Sequence, residues 1–259
     1  MAKTKTKIFQ TETKQLLKLM IHSLYSNKEI FIRELVSNAS DAIDKLRFKS
    51  VEDKSISKYT KDLKIDVKIL RDENKIIISD NGIGMNEDEV VANIGTIARS
   101  GTASFLNNIT GDKKKDSNLI GQFGVGFYSV FMVADKVEVI SKSVYEESDK
   151  ATLWESNGEE KYKLKEVTKE KNGTDIIIYL NDENKEFVEE GRVKFLLEKY
   201  SQYINFPLNL VTSESDTTRI NDADALWLKP KRSIKDEEYK EFYKFITYDR
   251  ENSLLWVHN

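Results

Sequence analysis

The chain has 259 residues, enough for one large domain or two smaller ones with a real hydrophobic core. Its 41 basic and 44 acidic residues give a formal net charge of -3, which argues against a dedicated nucleic-acid or membrane-surface binder. It has no cysteine and only two histidines, so disulfides and thiolate chemistry are excluded and a zinc site is disfavoured.

The first residues of the chain, 1–10, are polar and rich in lysine. A secretory signal would place an apolar segment there, and a membrane-spanning helix would need a run of roughly 18 apolar residues. The sequence contains neither. We therefore expect a cytoplasmic protein that binds neither nucleic acid nor membrane.

Helical periodicity marks the first fifty residues. Apolar side chains spaced three and four apart predict one helix over residues 15–25 and a longer one over residues 28–49. Alternating apolar and charged side chains then predict a strand over residues 63–69. A second predicted strand, over residues 75–79, follows a turn and brings Asp80 to its end.

Glycine is concentrated in the next segment, where eight of the eleven glycines lie between Gly82 and Gly126. Glycine is typical of backbone that turns sharply or lies close to a ligand. This window therefore predicts a binding site built from main chain. Within it we predict short helices over residues 87–93 and 104–108, and a buried helix over residues 127–133.

Strands dominate the rest of the chain, over residues 137–142, 151–156, 161–167 and 174–180. Asn-Gly pairs at residues 157–158 and 172–173 predict hairpin turns between them. A further helix is predicted over residues 185–203. The order of elements predicts an α+β two-layer sandwich, in which helices cover one face of a mixed, mostly antiparallel sheet.

The long predicted helix carries a polar stripe beside its apolar one. At about 100° per residue, Glu34, Asn38, Asp41 and Lys45 lie within about 60° of one another, at the border of the buried face. One interpretation is a hydrogen-bond network that locks the helix to the sheet. The other is a cleft-facing set, with an amide oxygen for Mg²⁺ and a semi-buried glutamate as general base. The predicted solvent face consists of Arg33, Ser37, Ser40, Asp44 and Arg47.

Three stretches of the glycine window each favour one part of a nucleotide site. After Asp80, the D-x-G-x-G pattern lets a carboxylate accept from an exocyclic amine while the backbone lies close to a flat ring. Around Arg99, flanking glycines are typical of a hinged lid over phosphates. The stretch GQFGVGFYS from Gly121 leaves backbone N–H groups at a helix start, which can bind an anion. A plain turn or surface loop is the alternative for the first two.

The third stretch differs from the common phosphate-binding motifs. No GxxxxGK[ST] pattern occurs, so it is not a P-loop. Ser129 stands where the third glycine of a dinucleotide-binding fingerprint would be. A phosphate site here must belong to another class.

Taken in this order, the segments resemble the GHKL (Bergerat) nucleotide-binding fold of type II topoisomerases, mismatch-repair ATPases, histidine kinases and a chaperone family. Within it, the chain is most similar to the heat-shock protein 90 chaperones, of the bacterial type. The matching stretches are YSNKEIFIRELVSNASDAIDKLRF from Tyr25, DNGIGM from Asp80, IGTIARSGT from Ile94 and GQFGVGFYSVFMVAD from Gly121. The tail from Asp236, DEEYKEFYKFITYD, resembles the start of that family's middle domain.

The resemblance implies an ATPase that binds ATP or ADP with Mg²⁺, closes a lid over residues 96–123, and drives a conformational cycle for folding client proteins. It implies that Glu34 is the catalytic residue, which polarises the attacking water. Asn38 would carry Mg²⁺ and the phosphates, and Asp80 would hold the adenine amine. Arg99 stands where many members have lysine, which keeps the charge but changes its geometry. The other implied nucleotide contacts are Asp41, Ala42, Gly84, Met85, Asn93, Arg99, Ser100, Gly101, Gln122, Phe123, Gly124, Val125, Gly126, Phe127 and Thr174.

The resemblance also implies a domain organisation. Residues 1–212 would form the N-terminal ATP-binding domain, residues 213–222 a short linker, and residues 223–259 the truncated start of the middle domain. The family's middle domain supplies a catalytic arginine that would lie beyond Asn259, so we expect slow hydrolysis by this stretch alone. The full-length form would be a homodimer joined mainly through an absent C-terminal domain, and this stretch alone a monomer.

Two other functions stay open at this point. The chain could be another enzyme of the same fold, of the kinase or topoisomerase type, although a phosphoacceptor histidine helix and a basic DNA surface are not evident in the sequence. It could also be a nucleotide sensor or interaction module without catalysis.

Overall fold

The computed structural model describes residues 27–96, 124–213, 215–221, 226–247, 249–253 and 255–257. The helices predicted over residues 15–25 and 104–108 lie outside this part. None of the described helices combines the length and apolarity needed to cross a membrane. The helices are α1 (Ile30–Glu52), α2 (Glu87–Asn93), α3 (Glu190–Ser201) and α4 (Asp236–Thr247). The 3-10 helices span Lys54–Thr60, Arg71–Glu73, Gly126–Met132, Asp182–Val188, Leu226–Leu228 and Lys231–Ser233.

One sheet of eight strands forms the centre of the structure. Its order is β5-β4-β3-β6-β2-β1-β7-β8, and every pairing is antiparallel except that of β1 with β7. Helix α1 packs on the sheet and on α3. The predicted α+β sandwich with a mixed, mostly antiparallel sheet is confirmed. The strands are β1 (Ile65–Leu70), β2 (Lys75–Asp80), β3 (Ala134–Lys142), β4 (Lys150–Ser156), β5 (Tyr162–Thr168), β6 (Gly173–Leu180), β7 (Leu208–Ser213) and β8 (Asp216–Arg219).

Helix α1 forms because its apolar residues share the face that meets the sheet. Phe31, Leu35 and Ile43 are fully buried there, and each such side chain removed from water contributes roughly 1.5–3 kcal/mol. The prediction that Ser40 faces solvent is wrong, since its exposed fraction is only 6%. Helix α1 also contacts α3 and two 3-10 helices, so more of its surface is covered than one sheet-facing stripe requires.

The chain crosses the sheet at the second Asn-Gly pair. The first pair, at residues 157–158, lies between the neighbouring strands β4 and β5, as predicted. The predicted hairpin at Asn172-Gly173 is wrong, because β6 inserts between β3 and β2 instead of pairing with β5. The Asn172 amide donates to the carbonyl oxygens of Asn81 (3.2 Å) and Gly82 (2.7 Å). This crossing ties the start of β6 to the loop that follows β2.

The predicted linker contributes to the sheet. Within residues 213–222, β8 pairs antiparallel with β7, and the buried amide of Asn221 donates to the Phe206 carbonyl oxygen (2.8 Å). Farther along, the ring of Trp227 lies 4.5 Å from that of Tyr203. The division into two domains stays a prediction, and the sheet of the first part extends to Arg219.

Glu29 ties the beginning of α1 to α3. Its carboxylate accepts hydrogen bonds from Arg192 Nη2 (2.6 Å), Tyr200 Oη (2.9 Å), Asn27 Nδ2 (3.1 Å) and Lys199 Nζ (3.3 Å). Partial burial raises the pKa of Glu29, but these donors outweigh it and lower the pKa to about 2. The first turn of α1 is thereby fixed against α3.

Replacing Glu29 with Gln should lower the free energy of unfolding by about 2 kcal/mol at pH 7, because hydrogen bonds to a charged acceptor are lost. The folded pKa of about 2 lies below the ordinary 4.5, so the stabilisation is present above pH 4.5 and is lost as the pH falls through 2. Urea unfolding should therefore show a smaller difference between variant and parent at pH 3 than at pH 7.

The matched control is Glu189→Gln, since Glu189 forms an exposed ion pair with Arg71. That variant should stay within about 0.5 kcal/mol of the parent protein. If Glu29→Gln lowered the free energy of unfolding by the same amount at pH 3 and at pH 7, the role assigned to the Glu29 charge would be contradicted.

Candidate functional site

Asp80 is the last residue of β2, at the point where the chain turns towards α1. Its Oδ1 accepts a hydrogen bond from the Gly82 amide (2.8 Å), and in the β2–β6 register Asp80 stands opposite Thr174. Although part of the residue stays accessible, burial of its carboxyl raises the pKa to about 7. Nearby Asp175 raises the pKa further, while the Gly82 and Thr174 amides and Lys169 lower it. The site therefore holds a carboxyl group that is short of solvent.

The loop after Asp80 is pressed between α1 and β3. The Ile83 amide donates to the Ala42 carbonyl oxygen (3.1 Å), and a Cβ on Gly82 would lie 2.6 Å from the Ala42 carbonyl carbon. Gly84 has φ +62°, and a Cβ there would overlap the Lys142 carbonyl oxygen. Both positions accept only glycine, because the main chain of another element occupies the place of a side chain.

A set of polar groups joins β3, β6 and the loop beside Asp80. Ser141 Oγ lies 2.8 Å from Thr174 Oγ1 and accepts from the Met85 amide (2.9 Å). The Asn93 amide nitrogen lies 3.8 Å from Met85 Sδ. Thr174, Met85 and Asn93, all predicted site residues, are thus brought together beside Asp80.

Ser141 is a residue that sequence reasoning missed. It is fully buried, and its hydroxyl connects two predicted site residues. The available signal was a polar residue at an inward position of β3, where the alternation that begins with Val137 and Val139 predicts an apolar side chain. Its partner across the sheet could not be known before the β3–β6 register was known.

The polar stripe of α1 borders the buried face, as predicted. Asp41 is 2% exposed, whereas Glu34 and Asn38 are half-buried. Burial lowers the pKa of Lys45, and the negative charges of Asp41 and Asp80 oppose this effect. Lys45, the last member of the stripe, is therefore close enough to Asp41 and to Asp80 at the end of β2 for their charges to act on it.

The glycine turn over residues 124–127 packs on the other end of the stripe. Gly124 has φ +66°, and a Cβ on Gly126 would overlap Glu34 Oε2. The turn leads into the 3-10 helix Gly126–Met132 where a buried helix was predicted. Glu34 Oε1 also accepts from Arg33 Nη2 (2.5 Å) and Nε (3.1 Å). The carboxylate of Glu34 thus lies between a glycine turn and a guanidinium.

Helix α1 sets the distance between the loop after Asp80 and the glycine turn. The loop after Asp80 contacts it at Ala42 and the glycine turn contacts it at Glu34, eight residues earlier. At about 1.5 Å per residue this separation is about 12 Å along the helix. The predicted site residues that lie outside the described part of the chain are Arg99, Ser100, Gly101, Gln122 and Phe123.

Comparison with known families assigns the class of protein. The family model described as "Histidine kinase-, DNA gyrase B-, and HSP90-like ATPase" matches residues 25–180, which is more than half of the chain. The chain belongs to this family of ATPases. The model described as "Hsp90 protein" matches residues 212–259.

Individual relatives narrow the comparison. The chain is 50% identical over 269 residues to the "Chaperone protein HtpG" of Hydrogenovibrio crunogenus, with all of this chain and 43% of the relative covered. For the protein of the same name from a Sulfurovum species, identity is 51% over 266 residues, with 97% of this chain and 43% of the relative covered. For that of Pseudoalteromonas translucida, identity is 50% over 274 residues, with 100% and 43% covered. The chain spans less than half the length of these relatives, and the resemblance to the heat-shock protein 90 family is confirmed.

Replacing Asp80 with Asn should make the protein more stable at pH 8. The folded pKa of about 7 lies above the ordinary 3.8, so ionising Asp80 costs stability; this cost is absent below pH 3.8, grows up to pH 7 and is constant above it. Asparagine keeps an oxygen for the Gly82 amide and carries no charge to desolvate. We expect a gain on the order of 1 kcal/mol at pH 8, roughly 2–4 °C in melting temperature for a domain of this size.

Thermal unfolding followed by circular dichroism at pH 8 and pH 4 would test this expectation. The difference between variant and parent should be small at pH 4. Asp66→Asn is the control, since Asp66 lies in the adjacent strand and accepts from Asn209 (2.8 Å). A lower melting temperature for Asp80→Asn at pH 8 would show that desolvation does not dominate at this position.

Proposed function

We propose that this chain is the ATP-binding part of a molecular chaperone and that it takes part in ATP hydrolysis. Membership in the ATPase family and about 50% identity to proteins named as chaperones support the proposal. The observation that carries it is the pairing of a desolvated carboxyl, Asp80, at one end of the α1 stripe with a glycine turn on Glu34 at the other. That spacing suits a ligand with a hydrogen-bonding base at one end and phosphates at the other.

The base would bind beside β2. Asp80 would accept a hydrogen bond from the exocyclic amine of adenine, which replaces the water that burial removes. Because Gly82 and Gly84 have no side chain, the loop packs closely on α1 and β3, and a ring could lie close to its main chain. Met85, Asn93 and Thr174 would line the purine and ribose, and Asp41 and Ala42 would face them from α1.

The phosphates would bind between α1 and the glycine turn. Backbone amides of residues 124–127 would contact the phosphate oxygens, and Asn38 would hold Mg²⁺ through its amide oxygen. The donor set fits this metal, because Mg²⁺ prefers oxygen ligands, keeps several waters and is often held by few protein groups together with substrate phosphates. The metal would neutralise phosphate charge when bound. In the described part of the chain, no group of three or more His, Cys, Asp or Glu forms a separate metal site.

Glu34 would polarise the attacking water. It lies on the rigid helix α1, in contact with the glycine turn that would hold the phosphates. Its ion pair with Arg33 would have to loosen for Glu34 to accept a proton from water. This requirement supports slow hydrolysis by the chain alone, as does a catalytic arginine expected from the family's middle domain.

The finer parts of the chaperone proposal rest on the relatives and the family. They are closure of a lid over residues 96–123, the division near residues 213–222, client-protein binding, a homodimeric full-length form with a monomeric N-terminal part, and a cytoplasmic location. A non-catalytic nucleotide sensor is the second candidate, and the ion pair between Arg33 and Glu34 favours it.

Asp80→Asn should weaken ADP binding by about 10- to 100-fold, because a hydrogen bond to a charged acceptor becomes a neutral one. Isothermal titration calorimetry would measure this, with Asp66→Asn as the control that leaves affinity unchanged. ADP affinity of the parent protein should also fall from pH 8 to pH 6, as Asp80 with its pKa of about 7 becomes protonated. Near-normal ADP affinity of Asp80→Asn would refute the adenine assignment.

Glu34→Ala should bind ATP with parent affinity and lose at least about 100-fold in hydrolysis rate when placed in the full-length protein, because the group that polarises the water is removed. The comparison is steady-state ATPase rate beside ATP affinity. Asp44→Ala is the control, since Asp44 lies on the same helix and pairs with Arg47. Undiminished hydrolysis would remove Glu34 from the mechanism, and a full-length parent that binds ATP without hydrolysing it would favour the sensor.

A further inference from the structure

The two sides of the proposed nucleotide site are carried by separate segments of the chain. Helix α2 carries Asn93 on the purine side, and the turn over residues 124–127 lies on the phosphate side. A buried hydrogen bond joins these segments. The hydroxyl of Tyr128, the residue after the turn, donates to the carbonyl oxygen of Ile94 (2.6 Å).

On the purine side, this bond completes the end of α2. Ile94 is the C-cap residue of α2, and carbonyl groups at a helix end have no partner within the helix. Ile94 is only 7% exposed, so water is a poor substitute for the Tyr128 hydroxyl. The amides of Ile94 and Gly95 both bond to the Val90 carbonyl oxygen (2.9 and 3.1 Å). The turn that follows Asn93 is therefore held both by hydrogen bonds to Val90 in α2 and by the hydroxyl of Tyr128.

On the phosphate side, Tyr128 is held by its neighbours. It is 5% exposed, and its amide donates to the Val125 carbonyl oxygen (3.2 Å). The ring of Phe127 packs edge-on against Tyr128 (5.5 Å between centroids) and Trp154 (5.6 Å). Burial raises the pKa of Tyr128 to about 12, so its hydroxyl keeps its proton and can donate at any physiological pH. A shift of the glycine turn would thus move the hydroxyl relative to Ile94.

We propose that Tyr128 is a positioning residue that couples the phosphate side of the site to the purine side through its hydrogen bond to Ile94. This inference rests on the proposed nucleotide binding. A ligand that contacts both sides gains affinity when their spacing is fixed in advance, because less ordering is needed on binding. A ligand that contacts only the purine side gains little from that spacing. Tyr128 should therefore matter for ADP and not for adenosine.

The test compares Tyr128→Phe with the parent protein by calorimetry with ADP and with adenosine. We expect ADP affinity to fall about 5- to 10-fold, the size of one lost buried hydrogen bond, and adenosine affinity to change less than about twofold. The control is Tyr179→Phe. Tyr179 lies at the end of β6 away from Thr174, and its hydroxyl donates to Glu138 (3.0 Å), so this variant loses one hydrogen bond away from the site and both affinities should stay at parent values.

Hydrogen exchange of the Ile94 and Gly95 amides supplies a second readout. In the parent and in Tyr179→Phe, ADP should slow their exchange more than adenosine does, because the held turn acts through Tyr128. In Tyr128→Phe the two ligands should act alike. If Tyr128→Phe does not fold, the parent comparison still decides, since equal protection by ADP and adenosine would overturn the proposal.

Three other results would count against it. Parallel loss of ADP and adenosine affinity in Tyr128→Phe would show a purely structural role, and unchanged affinity for both would show no role. Each of these overturns the inference while the parent still binds ADP. A parent protein that binds neither ligand would overturn the proposed function and this inference together.

Discussion

The close packing of main chain on helix α1 is the constraint on which the rest of the site depends. Gly82 lies against the Ala42 carbonyl and Gly126 lies against the Glu34 carboxylate, so two distant loops meet one rigid element at fixed points. A helix is stiff over this length, and the distance between the two loops is therefore set by residue number on α1. Glu29 fixes the position of the beginning of α1, since its carboxylate holds the first turn of the helix to α3. Two loops that did not pack on a common helix would not be held at a fixed distance from each other.

The electrostatics of the site explain why its packing favours a bound ligand but lowers the stability of the free protein. Burial at this site raises the pKa of Asp80 and lowers that of Lys45, so each group is driven towards its neutral form. Attraction between the two charges offsets part of that cost. A donor from a ligand would offset more of it. Burial of these two groups thus costs the fold some stability at this site, which is typical of binding sites.

The sequence predicted most of the secondary-structure elements well, and the way in which they pair and pack less well. Periodicity located α1, α2 and strands β1 to β6 closely, because each depends on residues near in sequence, whereas β7 and β8 were not predicted. The hairpin at Asn172-Gly173 was wrong because strand order depends on long-range pairing. Ser141 was missed for the same reason, and so was the burial of Ser40. Grouping of the predicted site residues came from the family resemblance, whereas spacing alone favoured a structural hydrogen-bond network.

The crossing at residue 172 shows how topology assembles the site. A simple hairpin would leave β6 at the edge of the sheet, far from β2. Because the chain crosses instead, β6 lies between β3 and β2, and Thr174 stands opposite Asp80 on one side and Ser141 on the other. Gly173, at φ +110°, is required there because a Cβ would overlap the Asp80 carbonyl oxygen. Gly173 therefore allows β6 and β2 to approach each other closely, and its position beside Asp80 is a consequence of that approach.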